Sequence, residues 1–213
     1  MTDHLLVTIG RECGSGGLAI GKMLAEKLGV KAYDKELLLL AAEASGMSRE
    51  ILEHHDEKPT NSFLYSLVTD TYSGGYAGAG YFDMPITQRA FLAQFDTIKK
   101  LADQESCVII GRCADYALAD YPNVIRVFIS GDEEDKIKYT SEFYEIPDLN
   151  KARDYMVKTD KKRSSYYNYY TNQKWGQAGT YDLCLNSSKL GFEGTVNAIC
   201  DYIKRFEESR SKT

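Results

Sequence analysis

The sequence lacks what membrane, secreted and nucleic-acid-binding proteins usually carry. It has no run of 18 apolar residues, so it predicts no membrane span. The first residues lead into an apolar run without a charged segment and hydrophobic core before it, so no signal peptide is expected. Lys and Arg number 26 against 31 Asp and Glu, and nucleic-acid binding needs the opposite balance. We therefore expect a cytoplasmic protein without a nucleic-acid or membrane partner.

Cysteine and histidine are too few and too scattered to build a disulfide framework or a metal site. The five cysteines form no C-x-x-C pair, and their odd number argues against systematic disulfide pairing. The three histidines stand at no metal-ligand spacing from them. Free thiols and no metal site of the cysteine–histidine type are expected.

Short apolar runs alternate with helical patterns along the 213 residues. Strand-like runs lie near 5–9, 31–33, 107–110, 124–129 and 181–185. Such alternation predicts a parallel β-sheet covered by helices on both faces, with the first strand in the centre. The length suits one domain with a substantial core.

Two segments do not fit this alternation. Residues 59–86 interleave glycines with aromatic residues, and residues 132–179 are charged and rich in tyrosine. Long insertions with little periodicity are commonly lids or binding loops. We expect residues 72–82 and roughly 140–178 to be the least ordered parts without a ligand.

A glycine-rich stretch, GRECGSGG at residues 10–17, separates the first strand from the first helix. Backbone amides in such a loop, together with a helix N-terminus, favour a bound phosphate. Glycine is needed because side chains would block the close approach. The candidate phosphate-binding residues are Cys13, Gly14, Ser15, Gly16 and Gly17.

The loop departs from the usual pattern G-x-x-x-x-G-K-[ST]. Gly16 stands at the second glycine, but Arg11 occupies the first. Gly17 takes the place of the lysine, and Leu18 and Ala19 replace the hydroxyl residues that hold magnesium. Arg11 is the candidate to supply the missing positive charge.

Two other interpretations use the same residues. Residues 14–19 fit G-x-G-x-x-A, and Asp34 follows 20 residues after Gly14, as in a dinucleotide-binding fingerprint. Four residues separate the predicted strand from Gly14, however, which suits the longer phosphate loop better. The third interpretation is an ordinary glycine-rich turn between a strand and a helix.

Several longer segments resemble the cytidylate kinase-like family. They are RECGSGG at 11–17, YDKEL at 33–37, VIIGRCAD at 108–115, DKKRSSYY at 160–167 and YDLCLNSS at 181–188. They occur in the family's order and cover nearly the whole chain, so the resemblance is specific.

The resemblance implies a three-layer P-loop fold of the nucleoside monophosphate kinase type, with five parallel strands. One domain would span 1–213, with a monophosphate-binding insertion at about 46–87 and a lid at about 132–179. The implied activity is transfer of the ATP γ-phosphoryl group to a pyrimidine monophosphate such as CMP, with Mg²⁺. Because Gly17 replaces the lysine, a non-catalytic nucleotide-binding or regulatory protein is an alternative; a dinucleotide-dependent oxidoreductase is a second.

Five charged residues are the candidate catalytic groups. Arg112 follows the third strand, where ligands of open α/β sheets bind, and could hold an acceptor phosphate. Asp160 and Arg163 stand three residues apart on a predicted lid helix that would bring Arg163 onto the transferring phosphate. Asp34 could hold metal-bound water or a substrate hydroxyl, and Arg11 completes the set.

Overall fold

A parallel sheet of five strands forms the centre of the molecule. The computed structural model describes residues 4–57 and 84–211. The strand order is β2-β3-β1-β4-β5 and every pairing is parallel. The strands are β1 (Leu6–Arg11), β2 (Lys31–Tyr33), β3 (Cys107–Ile110), β4 (Val124–Ser130) and β5 (Leu183–Asn186). The predicted α/β fold with β1 central is confirmed.

Helices occupy most of the chain between the strands. A 3₁₀ turn at Ala178–Thr180 precedes β5, and the last helix is kinked at Gly191. The helices are α1 (Gly17–Leu28), α2 (Glu36–Ser45), α3 (Arg49–His55), α4 (Ile86–Gln104), α5 (Ala114–Ala117), α6 (Glu133–Phe143), α7 (Leu149–Thr171) and α8 (Ser187–Arg210). Within the described ranges, no helix is long and apolar enough to cross a membrane.

Both faces of the sheet are buried, as the apolar strands predict. Val7 and Ile9 of β1 pack into a core with α1 and α8. Leu6, on the other face, packs with α4 and α5. The parallel pairing of β1 with β3 brings the carboxyl ends of these two strands together, and this edge of the sheet carries the candidate site.

Element ends differ from the predictions by one or two residues. Helix α2 begins at Glu36 with Lys35 as its N-cap, and the Leu37 amide donates to the Asp34 carbonyl at 3.1 Å. Strand β5 begins at Leu183, not at residue 181. The Asp182 amide pairs with the Arg126 carbonyl, just before the strand proper.

The segment 132–179 is far more regular than its sequence indicates. It contains α6 and the long helix α7. The C-terminal half of α7 packs on α4, where Tyr170 stacks on Phe91 with ring centroids 4.0 Å apart. Tyr167 is buried and donates to the Asp115 carboxylate at 2.6 Å. The tyrosines attach this segment to the core, and residues 72–82 of the other insertion lie outside the described residues.

Candidate functional site

The glycine-rich stretch forms a loop between β1 and α1. Gly14 and Gly16 have φ angles of +80° and +72°, a region that only glycine enters at little cost. Gly16 is the N-cap of α1 and offers no capping side chain. The N-terminal amides of α1 therefore remain for another partner, as an anion-binding loop requires.

Glycine at positions 14 and 17 also allows two close contacts around the loop. A Cβ on Gly14 would lie 2.3 Å from the carbonyl oxygen of Lys136 in α6. A Cβ on Gly17 would lie 2.4 Å from that of Arg11. Lys136 also binds the loop directly, since its Nζ lies 2.9 Å from Glu12 Oε2. Helix α6 thus covers the outer side of the loop.

One loop amide is already occupied by a side chain of the protein. The Cys13 amide donates to Asp160 Oδ1 at 2.6 Å. Among the described residues, the amides of Gly14, Gly16 and Gly17 have no acceptor. Of the five amides at residues 13–17, three are left for an anion. The Cys13 amide is bound to a carboxylate, and the Ser15 amide donates to the Glu12 carbonyl at 3.4 Å.

The buried position of Asp160 disfavours its ionised form. Burial raises the pKa of its carboxyl group to about 6, although the Cys13 amide and Arg163 both lower it. The Arg163 guanidinium is 4.0 Å away, three residues further along α7. The predicted pair Asp160 and Arg163 therefore meets at the loop.

Arg11 does not take the place of the missing lysine in this state. Its Nη1 lies 2.9 Å from Glu57 Oε1, and only 12% of its side chain is exposed. Its guanidinium lies against Gly111, where a Cβ would be 1.9 Å from Nη1. This position of the Arg11 guanidinium requires glycine at residue 111. Contact of Arg11 with phosphate stays a prediction.

Arg112, just beyond β3, is the most buried charge of the site. Its side chain is 3% exposed, and its Nη1 lies 2.9 Å from Asp34 Oδ1. Asp56 accepts a forked pair of bonds from Nε at 3.1 Å and Nη2 at 2.9 Å. Burial would lower the pKa of Arg112, but Asp56, Asp34 and Glu57 together raise it.

Glu57 bridges the other two arginines. Its second oxygen, Oε2, lies 3.2 Å from Arg163 Nε, while Oε1 binds Arg11. Burial would raise the pKa of Glu57, but the guanidinium groups of Arg11, Arg163 and Arg112 outweigh burial and lower it to about 2. Glu57 is therefore ionised at any working pH.

A cavity of about 240 Å³ opens between the loop and these charges. Arg11, Asp34, Arg112 and Arg163 all line it together with loop residues. Asp160 is not among the lining residues, but it accepts a hydrogen bond from Cys13, which lines the cavity. The structure therefore brings the predicted residues to one place.

The sequence analysis missed two groups of this cavity. Asp56 and Glu57 follow α3 and match no motif, and their partners lie 56 and 46 or more positions away in the chain. The second group is aromatic and belongs to the end of α6 and the next residue: Tyr139, Phe143 and Tyr144. The spacing of Tyr139 and Phe143 by four residues is the one sequence signal, because it places both on one helix face.

The cavity offers an oxygen ligand of the kind that Mg²⁺ prefers, a carboxylate beside nucleotide phosphates. Asp34 lines the cavity, whereas Leu18 contributes no oxygen. These residues fit a magnesium ion held mainly by substrate phosphates and water, with Asp34 as the protein carboxylate.

The chain matches both a family profile and a solved structure in sequence. The profile of the cytidylate kinase-like family matches residues 6–189. No curated protein matches the chain. A solved structure of an uncharacterized protein from Eubacterium ventriosum ATCC 27560 is 32% identical, with a TM-score of 0.69, over 94% of this chain and 99% of that one.

Two shikimate kinases are similar in fold alone. The enzyme from Bacteroides thetaiotaomicron is 15% identical with a TM-score of 0.50, over 94% of this chain and 98% of that one. The enzyme from Acinetobacter baumannii, solved with shikimate, is 11% identical with the same TM-score, over 95% and 94%. The P-loop kinase-like fold, the glycine loop and the family match over most of the chain lead to one conclusion: this protein belongs to the cytidylate kinase-like family.

Proposed function

We propose that this protein is a phosphotransferase that moves the γ-phosphoryl group of ATP to a pyrimidine monophosphate such as CMP. The observation that supports it is the convergence of Arg11, Arg112 and Arg163 with Asp34 on one cavity at the glycine loop. Phosphoryl transfer needs little covalent chemistry from a protein and depends on positioning and positive charge. A cavity of this composition supplies both.

Each residue has a role that follows from its place. The amides of Gly14, Gly16 and Gly17 would hold the donor phosphates at the N-terminus of α1. Arg112 would orient the acceptor phosphate, and Arg163 would stabilise the negative charge of the transition state. Magnesium, bound to the phosphates, would neutralise charge there.

The Asp34 carboxylate would position the acceptor group or the water around the metal. It lines the cavity and keeps its orientation through the 2.9 Å bond to Arg112. A carboxylate fixed in this way can accept a hydrogen bond from a hydroxyl group or a metal-bound water. Asp34 thereby joins the acceptor side of the cavity to the loop side.

A second candidate function is nucleotide binding without catalysis. Gly17 places no charged side chain at the lysine position, and Arg11 is engaged in an ion pair with Glu57. In this case the protein would bind a nucleotide but would not transfer a phosphoryl group. A dinucleotide-dependent oxidoreductase has less support, because β3 lies beside β1 here, whereas the dinucleotide-binding order places β2 there.

A coupled phosphotransfer assay across nucleoside monophosphates tests the proposal. The parent protein should consume ATP fastest with a pyrimidine monophosphate. Arg163→Lys should lower kcat at least about tenfold, because a lysine keeps the charge but loses the forked donor. No transfer to any monophosphate, combined with measurable ATP binding, would leave the non-catalytic candidate.

Arg153→Lys is the matched control for that variant. Arg153 lies on the same helix α7, pairs with Glu133 at 2.6 Å and has 57% of its side chain exposed. Its replacement should leave kcat unchanged. Equal losses in both variants would mean that Arg163 acts through the stability of α7 and not on the phosphate.

A further inference from the structure

Glu57 is bound in the way a phosphate oxygen pair would be. Its two carboxylate oxygens each receive one arginine, Arg11 at 2.9 Å and Arg163 at 3.2 Å. Bridging of two guanidinium groups by one oxyanion is the arrangement that phosphate recognition uses. Both arginines line the cavity at the glycine loop.

The backbone of Glu57 has an unfavourable conformation in this position. Its φ angle is +50°, which a non-glycine residue adopts only at some cost. Such strain persists where surrounding contacts hold it, and the ion pairs with Arg11 and Arg163 are contacts of this kind. A carboxylate held by ion pairs can leave when a better anion arrives.

The charges of the site show why an anion needs an exchange. Each of the three arginines already has a carboxylate partner: Arg112 pairs with Asp34 and Asp56, and Arg11 and Arg163 share Glu57. A phosphate group can therefore take the guanidinium groups of Arg11 and Arg163 only in exchange for the Glu57 carboxylate.

We propose that Arg11 and Arg163 form a phosphate subsite that Glu57 occupies in the free protein, and that an incoming phosphate group binds there by displacing the Glu57 carboxylate. The ligand class is a phosphate or pyrophosphate group. Asp56 stays on Arg112, since its forked bonds are independent of the subsite. The inference rests on the proposed function only in taking the anion to be a phosphoryl group.

The displacement lowers the apparent affinity for any phosphate ligand, because only the fraction of molecules with Glu57 released can bind it. Deleting the negative charge at position 57 should therefore strengthen phosphate binding. Because Glu57 stays ionised from pH 6 to pH 9, it competes with phosphate for the two arginines over this whole range. The gain in affinity on its removal should therefore persist from pH 6 to pH 9.

Calorimetric titration of the full chain with inorganic pyrophosphate tests the inference. Glu57→Gln should bind pyrophosphate at least about tenfold more tightly than the parent protein. Glu57→Asp, whose shorter side chain bridges less well, should fall between the two. The double variant Glu57→Gln with Arg163→Ala should lose the gain, because the subsite then has one arginine.

Glu53→Gln is the matched control. Glu53 lies on α3 and forms a surface pair with Arg49, and its replacement by Gln removes the same charge. Its pyrophosphate affinity should equal that of the parent. Because Glu57→Gln leaves two arginines without their shared partner, its Tm should fall without a ligand and rise more than the parent's with pyrophosphate.

An affinity of Glu57→Gln equal to or weaker than the parent's would overturn the inference, and Glu57 would then be a fixed brace of the site. So would a gain of the same size in Glu53→Gln, which would report net charge alone. Neither result depends on nucleotide binding or on transfer, so a failed phosphotransfer assay leaves this test intact.

Discussion

At the scale of single residues, the protein's own carboxylates occupy the groups that would bind phosphate. Asp160 accepts from a loop amide, and Glu57 bridges two arginines. The two carboxylates differ in their electrostatics. Glu57 is stabilised as an anion by its arginines, whereas burial raises the pKa of Asp160. Asp160 therefore changes its charge near pH 6.

The raised pKa of Asp160 makes stability depend on pH. Its pKa is about 6 in the folded protein against 3.8 for the free group, so the folded state binds the proton more tightly. The contribution of Asp160 to stability is therefore greatest below about pH 4, falls as pH rises to about 6 and stays lower above that. Asp160→Asn removes this loss and keeps an oxygen that can accept from Cys13.

We expect Asp160→Asn to have a Tm at least about 2 °C above the parent at pH 7, and the same Tm near pH 4. Thermal unfolding from pH 4 to pH 8 measures both. Asp154→Asn, an exposed position of α7, changes the net charge equally and should show no such difference. A variant Tm below the parent's at pH 7 would mean that the charged carboxylate stabilises the loop.

At the scale of elements, the glycine loop has a packing role besides the phosphate binding that we propose for it. Helix α6 touches the backbone at Gly14, and the Phe192 ring of α8 lies where a Cβ of Gly16 would be. These contacts fix the loop between two helices. The glycine pattern in this family member therefore has a structural reason independent of any ligand.

Gly14→Ala should be strongly destabilising. Its φ of +80° disfavours alanine, and the new Cβ would meet the Lys136 carbonyl at 2.3 Å, a backbone atom that cannot rotate away. We expect a loss of about 2–4 kcal/mol in the free energy of unfolding, measured by urea denaturation.

Gly179→Ala is the control for this loss. A Cβ there meets nothing within 4 Å, and the residue lies in the 3₁₀ turn before β5. Its effect should stay within about 0.5 kcal/mol. Similar losses at both glycines would show that α6 does not press on the loop in solution.

At the scale of the whole molecule, the sheet and the segment 132–179 differ in how much they bury. The strands β1, β3 and β4 consist largely of buried residues. Helix α6 buries only Thr140, and residues 149–160 of α7 bury only Ala152 and Met156. Regular helices with little buried surface open easily, because local stability follows buried contacts.

Amide hydrogen exchange should therefore fall into three classes. The sheet should exchange slowest, residues 164–171 of α7 next because their tyrosines pack on α4, and residues 133–160 fastest. The sequence predicted that residues 140–178 are among the least ordered parts. From the buried contacts of the structure, we now expect this only for the first half of that range. Exchange in 149–160 as slow as in β1 would contradict a movable lid.

The sheet could be predicted from the sequence because burial on both faces demands continuous apolar runs, and such runs are visible locally. The candidate residues Arg11, Asp34, Arg112 and Arg163 could be predicted because each stands next to a strand end or a family motif. Asp56 and Glu57 could not be predicted, because they match no motif and two acidic residues at a helix end have many possible partners. Their place at the cavity arises from contacts with residues 46 to 106 positions away.

The sequence by itself determined the fold, the central place of β1 and the position of the phosphate loop, because hydrophobic periodicity and glycine spacing are local properties of the chain. Only the tertiary structure decided the charge state of the cavity. It paired Arg112 with Asp34 and Asp56, and it set Glu57 between Arg11 and Arg163. Ion pairs between distant segments depend on how the segments pack, and no local pattern of residues encodes that choice.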